Sequence, residues 1–327
     1  MFQRSVTLEA GFQRRGKWLL TKLEGSALDA LSPLRSARLC AEYDLELEAR
    51  TLQELREIAF ADPLESRTEL ELLMRAKFAA RGVHALSQLG WLQTHLPELE
   101  ATRELQPFGF HHLNVLEHSI EALRVLTNLF PAANLETRLA TLLHDVGKPA
   151  ARIWDAVRGH WSYFGHDDAG AQLSKTILER FEFEAGLVTR VSLLIARHMI
   201  RLPGDASQAA RFVRRQRTLL PDLLEVMLSD REAARGASSS EEARQAYKIG
   251  FDRVLEAMKS HDAVKPLVTG RDVMNWLGLA PGKEIGQALE FIADLQESAD
   301  VRDESEARAA LIEWARVRGV AEGEKRR

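Results

Sequence analysis

Apolar residues recur at helical spacing along nearly the whole chain. Leu52, Leu55, Ile58 and Ala59 share one face, and Leu70, Leu72, Leu73, Ala76 and Ala79 share another. Val115, Ile120, Leu123 and Leu126 form an apolar stripe in the segment 115–126, with His118 at its border. Ala, Leu, Glu and Arg, all strong helix formers, dominate these stretches. Alternating β-branched runs are nearly absent. The pattern predicts an all-α protein.

Punctuation divides the chain into three regions. Residues 1–105 read as a first helical region without a cluster of catalytic residue types. The turn-like Gln106-Pro-Phe-Gly-Phe110 precedes a histidine-rich region, 106–235. Gly236-Ala-Ser-Ser-Ser-Glu-Glu242 reads as a flexible connection to a helical region, 236–327, with a charged tail. No repeat of fixed period is visible.

Composition narrows the class. The chain has 327 residues, 45% hydrophobic and 28% charged, which argues against disorder. Its net charge of −4 advertises no global field for nucleic acid, although a local basic face is allowed. A single cysteine, Cys40, excludes an intramolecular disulfide and a cysteine-based zinc site. The opening residues lack the apolar block of a signal peptide, and no stretch reaches the roughly 18 apolar residues of a membrane span. A cytoplasmic location without membrane contact is the expectation.

The candidate chemistry lies in six residues standing in a fixed order: His118, the adjacent pair His144-Asp145, His166, His198 and Asp230. His144 and Asp145 follow the apolar Leu139-Ala-Thr-Leu-Leu143, before Gly147 and Pro149 end the helix. His198 closes the apolar run 191–197, and Asp230 follows 223–229. His166 sits where a glycine-flanked loop enters a helix. Burying such groups is costly unless something satisfies them. A divalent cation shared among helices would do so, as in bundle-core metal sites. Imidazole and carboxylate without thiolate suit Mg, Mn, Ni, Co, Fe or Zn and select none of them. The expected layout puts His118, His144, Asp145 and Asp230 around one ion. His166 and His198 would hold a second, bridged by Asp145. Such a pair of ions can clamp a phosphate ester and supply hydroxide near neutral pH.

Asp145 and Lys148 are the candidate catalytic residues. Lys148, Arg197 and Arg201 are candidates for meeting a substrate phosphate. His111 and His112 could line the site entrance or cap the helix of His118, and His112 joins the substrate-binding candidates. His84, His95, His160 and His261 read as structural. The run Arg211-Phe-Val-Arg-Arg-Gln-Arg217 could meet RNA phosphates or form a solvated face. The six tryptophans read as core filler or scattered surface residues, with no stacking platform.

The ordered ligands, with the segments Leu142-Leu-His-Asp-Val-Gly-Lys-Pro149 and Phe164-Gly-His-Asp-Asp-Ala-Gly-Ala171, resemble the HD phosphohydrolase superfamily. A closer resemblance is to the C-terminal part of bacterial tRNA nucleotidyltransferases, the CCA-adding and poly(A)-polymerase-like enzymes. Residues 108–123 are similar to the entry to their HD domain, 265–296 to the segment after it, and 32–55 to their helical neck. The resemblance implies an HD-domain helical bundle flanked by a neck and a C-terminal helical region. In that family a nucleotidyltransferase head with a glycine-rich loop and paired aspartates precedes the neck. The roughly thirty residues before the neck-like segment here contain neither feature, so nucleotide addition is not expected.

The expected function is metal-dependent hydrolysis of phosphate monoesters or 2′,3′-cyclic phosphates of nucleotides or RNA 3′ ends, tRNA among them. Two alternatives stand beside it: an RNA- or partner-binding module with a structural metal, and a nucleoside-triphosphate hydrolase. The cyclic-dinucleotide variant of the superfamily is disfavoured, because no Gly-Tyr-Pro follows His198.

Overall fold

The computed structural model describes residues 5–9, 11–22, 28–105, 113–157, 159–235, 240–261, 266–298 and 300–320, with main chain only at 260 and 261. The chain divides into two compact units. The first holds residues 1–200 and 219–241, the second 201–218 and 242–327. Helices dominate both. Among the described residues, no helix is long and apolar enough to cross a membrane.

The first unit opens with strands that helical periodicity does not announce: β1 (Val6–Glu9), β2 (Phe12–Arg15) and β3 (Trp18–Thr21), an antiparallel meander. Gly16, at φ +63°, starts the two-residue turn between β2 and β3, a conformation glycine adopts without strain. After α1 (Ser32–Tyr43), the two-residue β4 (Glu46–Leu47) joins β3 in parallel. The first region is therefore not wholly helical. Each strand is too short for a period of two to stand out, though Phe12 and Leu19 are fully buried.

Helices α2 (Ala49–Arg56), α3 (Pro63–Arg75), α4 (Ala79–Leu89), α5 (Trp91–His95) and α6 (Pro97–Glu100) complete this part. Gly82 lets α4 cross α1 closely, since a Cβ there would stand 2.8 Å from the Ala37 carbonyl and 2.9 Å from the Ala41 Cβ. The buried Arg38 of α1 binds Glu69 of α3 at 2.6 Å, Glu42 at 2.7 Å and Glu9 of β1, so its charge is not left uncompensated. His95 stacks on Trp91 at 4.4 Å, and its Nε2 lies 2.8 Å from the Ala61 carbonyl. That is the structural role expected of it.

The ligand-bearing helices are α7 (Val115–Leu129), α8 (Leu135–Leu143), α9 (His166–Arg180), α10 (Ala185–Arg197) and, after α11 (Ala206–Gln216) of the second unit, α12 (Asp222–Ala233). Strands β5 (Ile153–Asp155) and β6 (His160–Ser162) form a hairpin between α8 and α9. Asn114 and Asn134 cap α7 and α8, accepting from Glu117 and Thr137 amides at 2.9 and 2.8 Å. Asp222 then ties three helices together. It accepts from Asn134 at 3.0 Å and from Arg190 of α10 at 2.6 Å.

The second unit consists of α11, α13 (Glu241–His261), α14 (Gly270–Leu277), α15 (Lys283–Glu297) and α16 (Glu304–Arg318). Val273, Leu277, Ala288, Ile292, Leu311 and Trp314 are among its core residues. Thr269 and Asp272 form a reciprocal capping box at the start of α14. The basic run of α11 is engaged within this unit. Arg211 and Arg214 both pair with Asp294 of α15, Arg214 also meets Glu297 at 3.0 Å, and Arg215 meets Glu290 at 2.9 Å. These arginines hold α11 to α15, which removes most of the reason to read them as a phosphate-binding face.

Candidate metal centre

Four imidazoles stand in a row inside the first unit, in the order His118, His144, His198, His166. Successive ring centroids lie 5.3, 5.2 and 5.2 Å apart. Two carboxylates face them. Asp145 Oδ2 lies 3.2 Å from His144 Nε2, and Asp145 Oδ1 lies 3.3 Å from His166 Nε2. Asp230 Oδ1 lies 2.9 Å from His118 Nε2 and 3.5 Å from His144 Nε2. The donor atoms fall into two groups sharing Asp145: His118, His144 and Asp145, then Asp145, His166 and His198. All are buried except Asp230, whose side chain is 24% exposed and marks the side open to solvent.

Local backbone chemistry aims three of these rings. His144 Nδ1 donates to the Thr141 carbonyl at 2.8 Å, His198 Nδ1 to Ile195 at 2.7 Å, and His166 Nδ1 to Tyr163 at 2.8 Å. Each acceptor stands three residues before its histidine. His144 and His198 cap the C-termini of α8 and α10, where the last carbonyls have no helical amide to accept from. A carbonyl can only accept, so Nδ1 carries the hydrogen and Nε2 of the neutral ring is left with a lone pair. The Nε2 atoms of His144, His166 and His198 are buried with no hydrogen-bond partner. Each would cost about 1–3 kcal/mol if left so.

This arrangement fits a divalent metal. Lone pairs of three imidazoles converge on carboxylate oxygens that are themselves acceptors, so a shared cation is what would satisfy both sides. Hydrogen bonds from the far ring nitrogen to backbone carbonyls are also the usual way of orienting metal-binding histidines. Without a metal, a proton takes the place of the cation. Burial opposes charge on His144, but Asp145 and Asp230 outweigh it and raise the imidazole to about 10. Burial, reinforced by the charge on His144, lowers His198 to about 4. Burial alone would push Asp145 up, yet His144 and Lys148 hold its carboxyl well below the usual range.

Lys148 is buried and stands 2.6 Å from Asp145 Oδ2, so its charge is already directed at the bridging carboxylate. Arg197 is exposed in the last turn of α10. Arg201 is exposed and belongs to the second unit. His112 lies outside the described residues, as does His111.

Two glycines matter more than their sequence suggested. A Cβ on Gly147 would stand 2.1 Å from the His166 carbonyl and 2.4 Å from the Gly170 amide nitrogen. Only glycine lets the turn after Asp145 seat against the first turn of α9, and so brings His166 to Asp145. Gly165, at φ +79°, makes the entry to that helix. The glycines flanking both motifs were the available signal, but their contact joins residues 23 apart in the chain.

A family model described as the HD domain matches residues 115–247. The chain is 44% identical over 297 residues to an A-adding tRNA nucleotidyltransferase of Deinococcus radiodurans, covering 88% of this chain and 68% of that protein. It is 38% identical to a CC-adding tRNA nucleotidyltransferase of Thermus thermophilus, covering 88% and 67%. A solved CCA-adding enzyme with ATP superposes at a TM-score of 0.50 and 16% identity, over 94% of this chain and 64% of that one, a likeness of fold alone. The chain thus spans about two thirds of the length of the relatives it matches. It carries an HD domain and belongs to the tRNA nucleotidyltransferase family.

Proposed function

We propose that the HD centre hydrolyses phosphate monoesters or 2′,3′-cyclic phosphates of nucleotides or RNA 3′ ends. The observation that carries this reading is the convergence of three partnerless Nε2 atoms on a shared carboxylate, Asp145. A divalent ion held there supplies Lewis acidity toward a phosphate oxygen and a source of hydroxide near neutral pH. His118, His144, Asp145 and Asp230 would hold one ion, and Asp145, His166 and His198 a second. Hydrolysis joins the water oxygen to phosphorus, breaks the bond to the leaving alkoxide and passes a water proton to that alkoxide. Lys148 holds Asp145 ionised and in place, and its charge remains near an incoming phosphate. The protein is expected to act in the cytoplasm, where its RNA substrates are made.

The relatives are nucleotide-adding enzymes by name, which supports a second reading. On it, this chain holds tRNA or a partner, and the metal serves the fold. A test on the purified protein separates the two. Turnover of 2′,3′-cyclic and 3′-monophosphate nucleotides is measured with Mg, Mn, Ni, Co, Fe and Zn, for wild type and Asp145→Ala. Metal-stimulated turnover that disappears in the variant supports hydrolysis. Wild-type turnover in Asp145→Ala, or none with any metal, rejects it.

A further inference from the structure

The chain leaves the metal centre after Lys148 and returns to it at His166, and the excursion between them is the hairpin β5–β6. Its surface is aromatic and exposed. Trp154 is 51% exposed, Trp161 41% and Phe164 94%. Trp154 and Trp161 are directly opposite across the hairpin and therefore share a face. Their rings meet edge to face at 5.3 Å. The Arg152 guanidinium lies 4.0 Å over the Trp161 ring. Tyr163, two residues on, has the Lys148 ammonium 5.9 Å from its ring, and its carbonyl orients His166. Tyr163 and Trp161 each have a cation beside the ring, and Trp154 packs against Trp161.

A soluble protein rarely exposes a contiguous aromatic surface without using it. The hairpin is anchored at both ends by candidate metal ligands, so it cannot lie far from the centre. Trp161 stands five residues before His166, at most about 18 Å of chain. Aromatic faces interleaved with cations next to a phosphate-handling site are what unpaired nucleobases require. Bases stack on the rings and the backbone meets the charges.

We infer that the β5–β6 hairpin is a stacking platform for the unpaired bases of a single-stranded RNA end, presented so that its terminal phosphate reaches the metal centre. This inference rests on the proposed hydrolysis for its direction and names the substrate class. The pairing of Trp154 with Trp161 exists only once the hairpin closes, so the sequence alone does not display it.

The experiment uses the full chain. Fluorescence anisotropy in EDTA follows binding of a labelled single-stranded RNA hexamer ending in a 3′-phosphate, for wild type, Trp154→Ala, Trp161→Ala and Trp161→Phe. Each alanine variant is expected to weaken binding about tenfold, and Trp161→Phe by less than about threefold, since phenylalanine still offers a ring. In a second arm, kcat/KM is compared for a nucleoside 3′-phosphate and glycerol 2-phosphate, which has no base. Their ratio is expected to fall about tenfold in Trp161→Ala. Unchanged affinity in both alanine variants overturns the platform, as does equal loss in Trp161→Phe and Trp161→Ala, or tighter binding of a duplex. If no substrate is turned over by wild type, the hydrolysis proposal fails while the anisotropy arm still decides the platform.

Discussion

Replacing Gly147 by alanine tests how tightly the metal centre depends on one backbone contact. The added Cβ would stand 2.1 Å from the His166 carbonyl oxygen, 2.4 Å from the Gly170 nitrogen and 2.9 Å from the Gly170 Cα. Real Cβ contacts essentially never fall below 3.0 Å, so the start of α9 must retreat by about 0.9 Å. All three obstructing atoms are backbone, and no rotamer change relieves them. Overpacking typically costs about 1–3 kcal/mol, and the rigid obstruction here places the expectation near ~3 kcal/mol. The obstructing carbonyl belongs to His166 itself, so the retreat carries that ligand away from Asp145. Metal sites hold donor distances within about 0.2 Å, a tolerance several times smaller than this shift. Affinity for an ion at the Asp145, His166 and His198 group is therefore expected to fall about 10–100-fold.

Urea unfolding and calorimetric metal titration measure the two effects. Gly165→Ala is the control. Its φ of +79° strains an alanine, but no atom lies within 4 Å of the added Cβ, so a loss of only roughly 1–2 kcal/mol is expected. A Gly147→Ala protein within about 0.5 kcal/mol of wild type, with metal affinity changed less than twofold, would refute the reasoning.

Four further outcomes are expected. His144 holds a proton in the metal-free protein, with its imidazole raised to about 10, while His198, lowered to about 4, is already neutral. Metal uptake should therefore release about one proton from His144, and affinity should rise about tenfold per pH unit between about pH 6 and 9, as titrations in buffers of different ionisation enthalpy would show. By the same linkage, the stability that protonated His144 gives the metal-free protein is fully present below about 6.5 and is lost as pH rises through about 10, which urea midpoints across that range would test. Lys148→Ala should leave metal binding equal or tighter, because the cation 2.6 Å from Asp145 competes with the ion, while kcat/KM for phosphate esters falls; lost metal binding would sink this assignment. Arg214→Ala should destabilise the second unit by about 1 kcal/mol through its lost pairing with Asp294 and Glu297, with RNA affinity unchanged in anisotropy; a clear loss of RNA affinity would return the α11 arginines to the phosphate-binding role.

What the sequence conveyed well was local. Helices such as α7, α8 and α10 announce themselves because each is long enough for its apolar stripe to repeat. Five of the six candidate ligands stood out because they stand at the end or border of such a stripe, and His166 because a glycine-flanked loop delivers it to a helix start. What it conveyed poorly depends on partners distant along the chain. β3 and β4 are four and two residues long, and their parallel pairing across α1 leaves no pattern in either. Arg214 looks the same whether it faces solvent or Asp294, 80 residues away. Gly147 reads as a helix terminator until Gly170 is placed against it.

The ring orientations occupy a middle ground, and they explain why the ligand order was readable at all. His144, His166 and His198 are each aimed by a carbonyl three residues earlier. For His144 and His198 that carbonyl belongs to the last turn of a helix, where it would otherwise lack a partner. The direction of each Nε2 is thus set within four residues of chain, before any helix meets another. Tertiary packing has only to bring these preset groups together, and the Gly147–Gly170 contact and the Asp222 tie are the devices that do so. A histidine placed at a helix end after an apolar run is therefore a stronger sign of a metal ligand than one within a helix, because the backbone there already fixes which nitrogen carries the hydrogen and which is left to bind.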